Sequence, residues 1–158
     1  MQEKQGVIDC LFFALRSASI SGTLKTCYAF SEVIAMCELK TAQKEWAKWK
    51  YHVMARSQSA YLELRQLFSG NQWSQEKEVQ FKQQISNVKK LSFNLKARRN
   101  AYEHVWGYFK KIATAQERAT FFRLSQAMTA KQDEALPYLK KLAEKYQITY
   151  LLDSHFFD

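Results

Sequence analysis

The chain has 158 residues, of which 47% are hydrophobic and 15% are aromatic. This length and composition are sufficient to bury one hydrophobic core, which excludes a disordered protein and predicts a single domain over residues 1–158. The formal net charge of +9 favours nucleic acid, an anionic membrane or an acidic protein as the partner.

The N-terminal apolar segment is interrupted by Glu3, Asp9 and Arg16, so we expect no cleaved signal peptide. No run approaches the ~18 apolar residues of a membrane span, and we therefore expect no transmembrane segment. The three cysteines lack a Cys-x-x-Cys spacing. Their odd number and spacing predict reduced thiols and a cytoplasmic location.

Glycine and proline are scarce, which predicts long helices. Between residues 23 and 136 the chain contains only Gly70 and Gly107, and its sole proline is Pro137. Because these residues normally mark turns and sheets, we predict an all-α protein. The expected architecture is an elongated antiparallel helical hairpin or bundle of about five helices, two of them long.

The first helices follow from apolar spacing. A short amphipathic helix is expected within residues 7–19, and the first long helix over residues 24–68. The apolar face of this long helix rotates near residue 40, which predicts a kink or a short break at that point.

Ser69-Gly70-Asn71 is the clearest turn signal, and Ser74 is the expected N-cap of the second long helix, over residues 74–113. Thr114 and Glu117 match a capping box, which predicts a further helix.

The final helix is expected to begin at Asp133 and to hold Pro137 in its first turn. Residues 147–158 could extend this helix or form a loosely packed C-terminal arm.

Basic residues are concentrated in the second long helix. Residues 81–111 contain eight lysines and arginines but one acid, Glu103. A basic stripe along this helix predicts contacts to a phosphate backbone, with the aromatic ring of Phe93 available for stacking. The predicted stripe consists of Lys82, Lys89, Lys96, Arg99 and Lys110.

A second basic set lies on the first long helix, where Lys44 and Lys48 are spaced by one turn. A hairpin that turns near Gly70 would place this region beside residues 89–99, so that the two sets form one basic face. The alternative is an ordinary solvated surface. Trp46, Trp49 and Trp106 have helical spacing that favours burial.

Catalytic signals are weak. The chain has three histidines, no Glu-x-x-His pair, no metal-binding spacing and no glycine-rich phosphate loop. We expect a non-catalytic protein without metal or cofactor, although a dispersed site that uses Cys10 or His104 stays open.

Two functional hypotheses follow. The first is an accessory protein that contacts DNA or RNA without sequence specificity. The second is an adaptor or inhibitor that binds an acidic protein and docks through Tyr150, Phe156 and Phe157. Binding to anionic lipid ranks third, because the basic helix lacks an exposed apolar face. Self-association into a homo-oligomer is also open.

Overall fold

The computed structural model describes residues 23–92 and 94–158. Every regular element in these ranges is helical, which confirms the all-α class. The helix expected within residues 7–19 and the ring of Phe93 lie outside the described residues. The described helices are α1 (Thr23–Met54), α2 (Gln58–Leu67), α3 (Gln75–Lys89), α4 (Leu95–Trp106), α5 (Ala115–Ala127), α6 (Ala135–Lys145) and α7 (Thr149–Leu152), with short 3₁₀ helices at Ser69–Asn71 and His155–Phe157.

The first long helix breaks later than predicted. α1 continues through residue 40, where the hydroxyl of Thr41 donates to the carbonyl of Cys37 at 2.9 Å and so does not cap a new helix. The break lies instead at residues 55–57. There the Ser57 side chain accepts a hydrogen bond from the Ala60 N–H at 3.2 Å, which caps α2.

The turn around Gly70 is confirmed. Gly70 has a φ of 79° and Asn71 a φ of 53°, both in the left-handed region that glycine and asparagine tolerate best. Ser74 then caps α3 as predicted, accepting from the N–H of Lys77 at 3.4 Å. The antiparallel pair across this turn is therefore formed by α2 and α3.

The second long helix, predicted over residues 74–113, is divided in two. α3 ends at Lys89, and the Asn94 side chain accepts from the Ala97 N–H at 3.0 Å to begin α4. α4 ends at Trp106, so residues 107–113 lie outside it. Asparagine competes with the helical backbone through its own side chain, which explains a break without glycine or proline.

Two reversals, at residues 55–57 and 68–74, make α3 run in the same direction as α1. The C-terminal ends of both helices are neighbours, since the Lys89 ammonium lies 4.2 Å from the ring centroid of Trp49. The predicted hairpin of two long helices is thus a three-helix layer of α1, α2 and α3.

Aromatic side chains fill the core of this layer. The rings of Phe68 and Trp73 stack with their centroids 4.8 Å apart, and Trp46 stacks on Phe68 at 6.2 Å. Phe81 is buried against Phe68 and Trp73. Such pairs contribute about 0.5–1.5 kcal/mol each beyond their buried area, so they hold the three helices at fixed spacing.

A second core joins α4 to α7. The rings of Trp106 and Phe121 stack at 4.6 Å, which confirms burial of this tryptophan. Thr114 and Glu117 form the predicted capping box, and the Asp133 carboxylate accepts from the backbone N–H groups that begin α6. Pro137 lies in the first turn of α6 as predicted.

Residues 147–158 pack against the rest of the fold. They do not form the loosely packed arm that was one of the two expectations for this segment. Leu151 is fully buried, and the Phe156 ring lies edge-on to Tyr51 and Tyr102 with centroids 6.0 and 5.6 Å away. The tail contacts α1, which is about a hundred residues earlier in the chain.

We predict that Phe156→Ala lowers the free energy of unfolding by about 3–5 kcal/mol, because it opens a cavity in the core. Phe122→Ala is the matched control. Phe122 is 43% exposed, and its loss should cost about 1 kcal/mol or less. Urea unfolding measures both values, and equal small losses would contradict the packed tail.

Candidate nucleic-acid interface

α1 and α3 lie side by side and leave an open groove of about 360 Å³, here named the α1–α3 groove. Its floor is apolar and is formed by Ala42, Phe81 and Ile85. Its two rims are polar, because each helix turns one apolar side toward the layer and a flanking polar side toward the opening.

Two predicted cations line the α3 rim. Lys82 and Lys89 are seven residues apart, which is about two helical turns, so both face the same opening. The Lys82 ammonium pairs with the Glu78 carboxylate at 3.0 Å. The Lys89 ammonium lies over the Trp49 ring, and no carboxylate within the described ranges forms an ion pair with it.

Lys44 and Lys48 flank the α1 rim. On a helical wheel Lys48 lies about 20° beyond Thr41, which lines the groove, and Lys44 lies about 60° beyond it. Both side chains are exposed, and neither has an ion-pair partner among the residues that the structure describes. Lys82 and Lys89 thus line the groove, and Lys44 and Lys48 lie on the adjoining exposed face of α1.

Two carboxylates also line the groove, and both are engaged. Glu45 accepts from the Trp49 indole N–H at 2.8 Å. Glu78 accepts from the Trp73 indole N–H at 3.0 Å, in addition to its pair with Lys82. The lining residues hold two lysines and two glutamates, so a surplus of positive charge comes only from Lys44 and Lys48 beside the groove. The glutamates serve to orient the tryptophan rings.

Trp49 lines the groove and also contacts the C-terminal tail. The sequence pattern around Trp49 did not indicate this role. The His155 ring stacks on it with centroids 3.9 Å apart, and His155 pairs with Asp158 at 2.6 Å. The His52 Nδ1–H donates to the carbonyl of His155 at 3.0 Å. Burial, and then the nearby Arg56, lower the pKa of His52 to about 4, so the ring is neutral at pH 7.

The remaining cations of the predicted stripe do not share the groove. Lys96 borders a different depression with Gln58 and Asn100, and Lys110 lies beyond the end of α4. The end of α3 at Lys89 and the start of α4 at Leu95 separate these cations from Lys82 and Lys89. The prediction of one stripe along one helix is therefore wrong.

Arg99 has a structural role. Its guanidinium group is half-buried and donates to the carbonyls of Ser125, Gln126 and Met128 at 2.9–3.2 Å. These carbonyls lie at the C-terminal end of α5, where a helix leaves acceptors without partners and favours a cation. Arg99 thus joins α4 to α5, so its guanidinium group is already engaged by the fold.

The predicted docking residues are also part of the fold. Phe156 is buried, and Phe157 packs half-buried beside it with centroids 5.0 Å apart. Tyr150 is at the border of exposure, and its hydroxyl donates to the Ala47 carbonyl at 3.1 Å. Phe156 and Phe157 thus contribute to the packing of the fold, and docking of a protein through these three residues stays a prediction.

Among the described residues, no group of three or more histidine, cysteine, aspartate or glutamate side chains is arranged to hold a metal ion. No helix in the same part of the chain is both long and apolar enough to cross a membrane.

Comparison with known families gives one match. The family model DUF1722, described as "Protein of unknown function", matches residues 50–158. The chain belongs to the DUF1722 family. No curated protein and no solved structure matches the chain.

The family match assigns no activity. It covers only one of the two rims of the α1–α3 groove. The α3 rim with Lys82 and Lys89 lies within the family region, as do helices α4 to α7 and the tail. Residues 41–49, which form the α1 rim, precede the matched region.

We predict that Arg99→Gln lowers the free energy of unfolding by about 1.5–3 kcal/mol, because it removes charged donors from three carbonyls. Lys96→Gln, an exposed change on the same helix, should alter stability by about 0.5 kcal/mol or less. Denaturant unfolding compares the two variants. An unchanged stability of the Arg99 variant would contradict the structural role.

Proposed function

We propose that this protein is a non-catalytic binding protein whose α1–α3 groove holds a nucleic-acid strand through its phosphates, without strong sequence specificity. The observation that supports this most directly is the placement of cations. Lys82 and Lys89 line one rim of the groove, and Lys44 and Lys48 lie on the exposed face of α1 next to the other rim.

The chemistry of the groove suits a polyanion better than a single charge. A phosphate backbone carries regularly spaced charges, and each lysine that neutralises one phosphate releases a counterion. Lys44, Lys48 and Lys89 have no carboxylate partner within the described ranges, so their charges are available to a ligand.

The non-catalytic and cytoplasmic parts of the proposal rest on the sequence. The chain has three histidines and no recognisable metal or nucleophile motif. The odd number of cysteines supports a reducing compartment. The absence of a helix-turn-helix or zinc-finger signature supports contacts to the backbone in preference to base readout.

The adaptor hypothesis is less favoured, because Phe156 and Phe157 pack into the fold. A protein partner stays a possible outcome of the binding test. Such a complex would tolerate salt, since apolar contacts do not depend on counterion release.

We predict that the triple variant Lys44→Gln, Lys48→Gln and Lys89→Gln binds oligothymidylate about tenfold or more weakly than the wild type at ~50 mM salt. The slope of log affinity against log salt should fall by about two, since each lost contact to a single strand contributes about 0.7. Fluorescence anisotropy with a labelled strand measures both quantities.

The matched control is Lys131→Gln, Lys140→Gln and Lys141→Gln, which removes the same charge from exposed lysines in and just before α6. This control should keep the wild-type affinity within about threefold, because only distant charge is lost. Equal losses in both variants would show a response to net charge alone. No binding by the wild type would refute the proposed function.

A further inference from the structure

His52 holds the C-terminal tail, residues 147–158, against the last turn of α1. Its Nδ1–H donates to the His155 carbonyl at 3.0 Å, and its ring lies edge-on to Trp49 with centroids 5.1 Å apart. The His155 ring in turn stacks on Trp49 at 3.9 Å. These three rings therefore join α1 to the short 3₁₀ helix at His155–Phe157.

The second ring nitrogen of His52 is poorly placed to take up a proton. A carbonyl oxygen can only accept, so Nδ1 carries the hydrogen of the neutral ring and Nε2 carries a lone pair. Nε2 is buried and has no hydrogen-bond partner among the described residues. Protonation would place an N–H group and a positive charge at this buried position, which is unfavourable unless the ring gains access to water.

The charged groups near His52 do not remove this penalty. Burial has the largest effect in lowering the pKa of His52 from 6.5 to about 4, and the Arg56 guanidinium has the next largest. From the tail, the His155 imidazole also disfavours the charge. The hydrogen bond to the His155 carbonyl and the Asp158 carboxylate favour the protonated form, but their effects on the pKa are smaller than those of burial and Arg56.

The tail is the element that can move away from His52. Tyr51, Val53 and Met54, in the same turn of α1, are buried in the two cores and fix this end of the helix. Among residues 155–158, only Phe156 is fully buried. A short segment with one buried anchor opens at a lower free energy than a helix that contributes to both cores.

We propose that His52 is an acid-sensitive clamp, which holds residues 155–157 on α1 while its ring is neutral and releases them when the ring is protonated. Release uncovers the face of Trp49 on which His155 stacks. The closed tail binds fewer protons than the open tail, so the clamp has full strength above about pH 6.5 and weakens as the pH falls toward 4. This clamp is independent of nucleic-acid binding in the α1–α3 groove.

The test is amide hydrogen exchange of the full chain, expressed as protection factors so that the intrinsic exchange rate at each pH is removed. The reporters are the N–H groups of Ser154 and Phe156, which donate to the Leu151 carbonyl and to the Ser154 hydroxyl. Their protection should fall about thirtyfold between about pH 7.5 and about pH 5, since the opening equilibrium grows about tenfold per pH unit below the pKa of the open state. At both pH values it should stay below the protection of the α5 amides.

His52→Asn is the diagnostic variant, because its side-chain amide can donate to the same carbonyl and does not titrate. Its tail protection should change by less than about threefold over this pH range. His104→Asn, an exposed change in α4, is the matched control and should keep the wild-type response. His155→Phe retains a ring beside Trp49 and the backbone carbonyl, so it should keep the response as well.

A wild-type response that persists in the His52→Asn variant would overturn the clamp. Loss of the response in His155→Phe would assign the proton to His155 and would also overturn it. Equal protection of the tail and α5 at both pH values would show that the tail opens only when the whole protein unfolds, which contradicts release. These last two outcomes decide the proposal even if His52→Asn does not fold.

Discussion

The reversal of the chain at residues 55–57 is the constraint on which the other features of the N-terminal layer depend. Ser57 caps α2 there, and the aromatic stack of Trp46, Phe68 and Trp73 then holds α2 and α3 against α1. If α1 and α2 were one continuous helix, α3 could not run beside α1 in the same direction. The groove between them, and the approach of Lys89 to Trp49, exist because of this turn.

The same packing determines how charge is distributed. Carboxylates in the groove bind indole N–H groups, which leaves Lys44, Lys48 and Lys89 without an acidic partner in the described ranges. Elsewhere basic side chains form contacts within the fold. Arg99 binds the C-terminal end of α5, and Arg98 forms an ion pair with Asp133. A high net charge is therefore compatible with few available cations, and their position matters more than their number.

Features that depend on local chemistry could be predicted from the sequence. The turn at Gly70 and the cap at Ser74 follow from their residue types. The breaks at Ser57 and Asn94 escaped prediction, because the apolar spacing continues through them without glycine or proline. The role of Arg99 and the packing of Phe156 depend on partners distant in sequence, so no local pattern could indicate them.

We propose above that a nucleic-acid strand lies along the α1–α3 groove. The most direct measurement is the change in backbone amide chemical shifts when isotope-labelled protein is titrated with a short oligothymidylate at low salt. If the strand binds there, the largest shifts fall on residues 41–49 of α1 and 78–89 of α3 and diminish as salt is added. Shifts confined to α5 and α6, or no shifts at all, would contradict it.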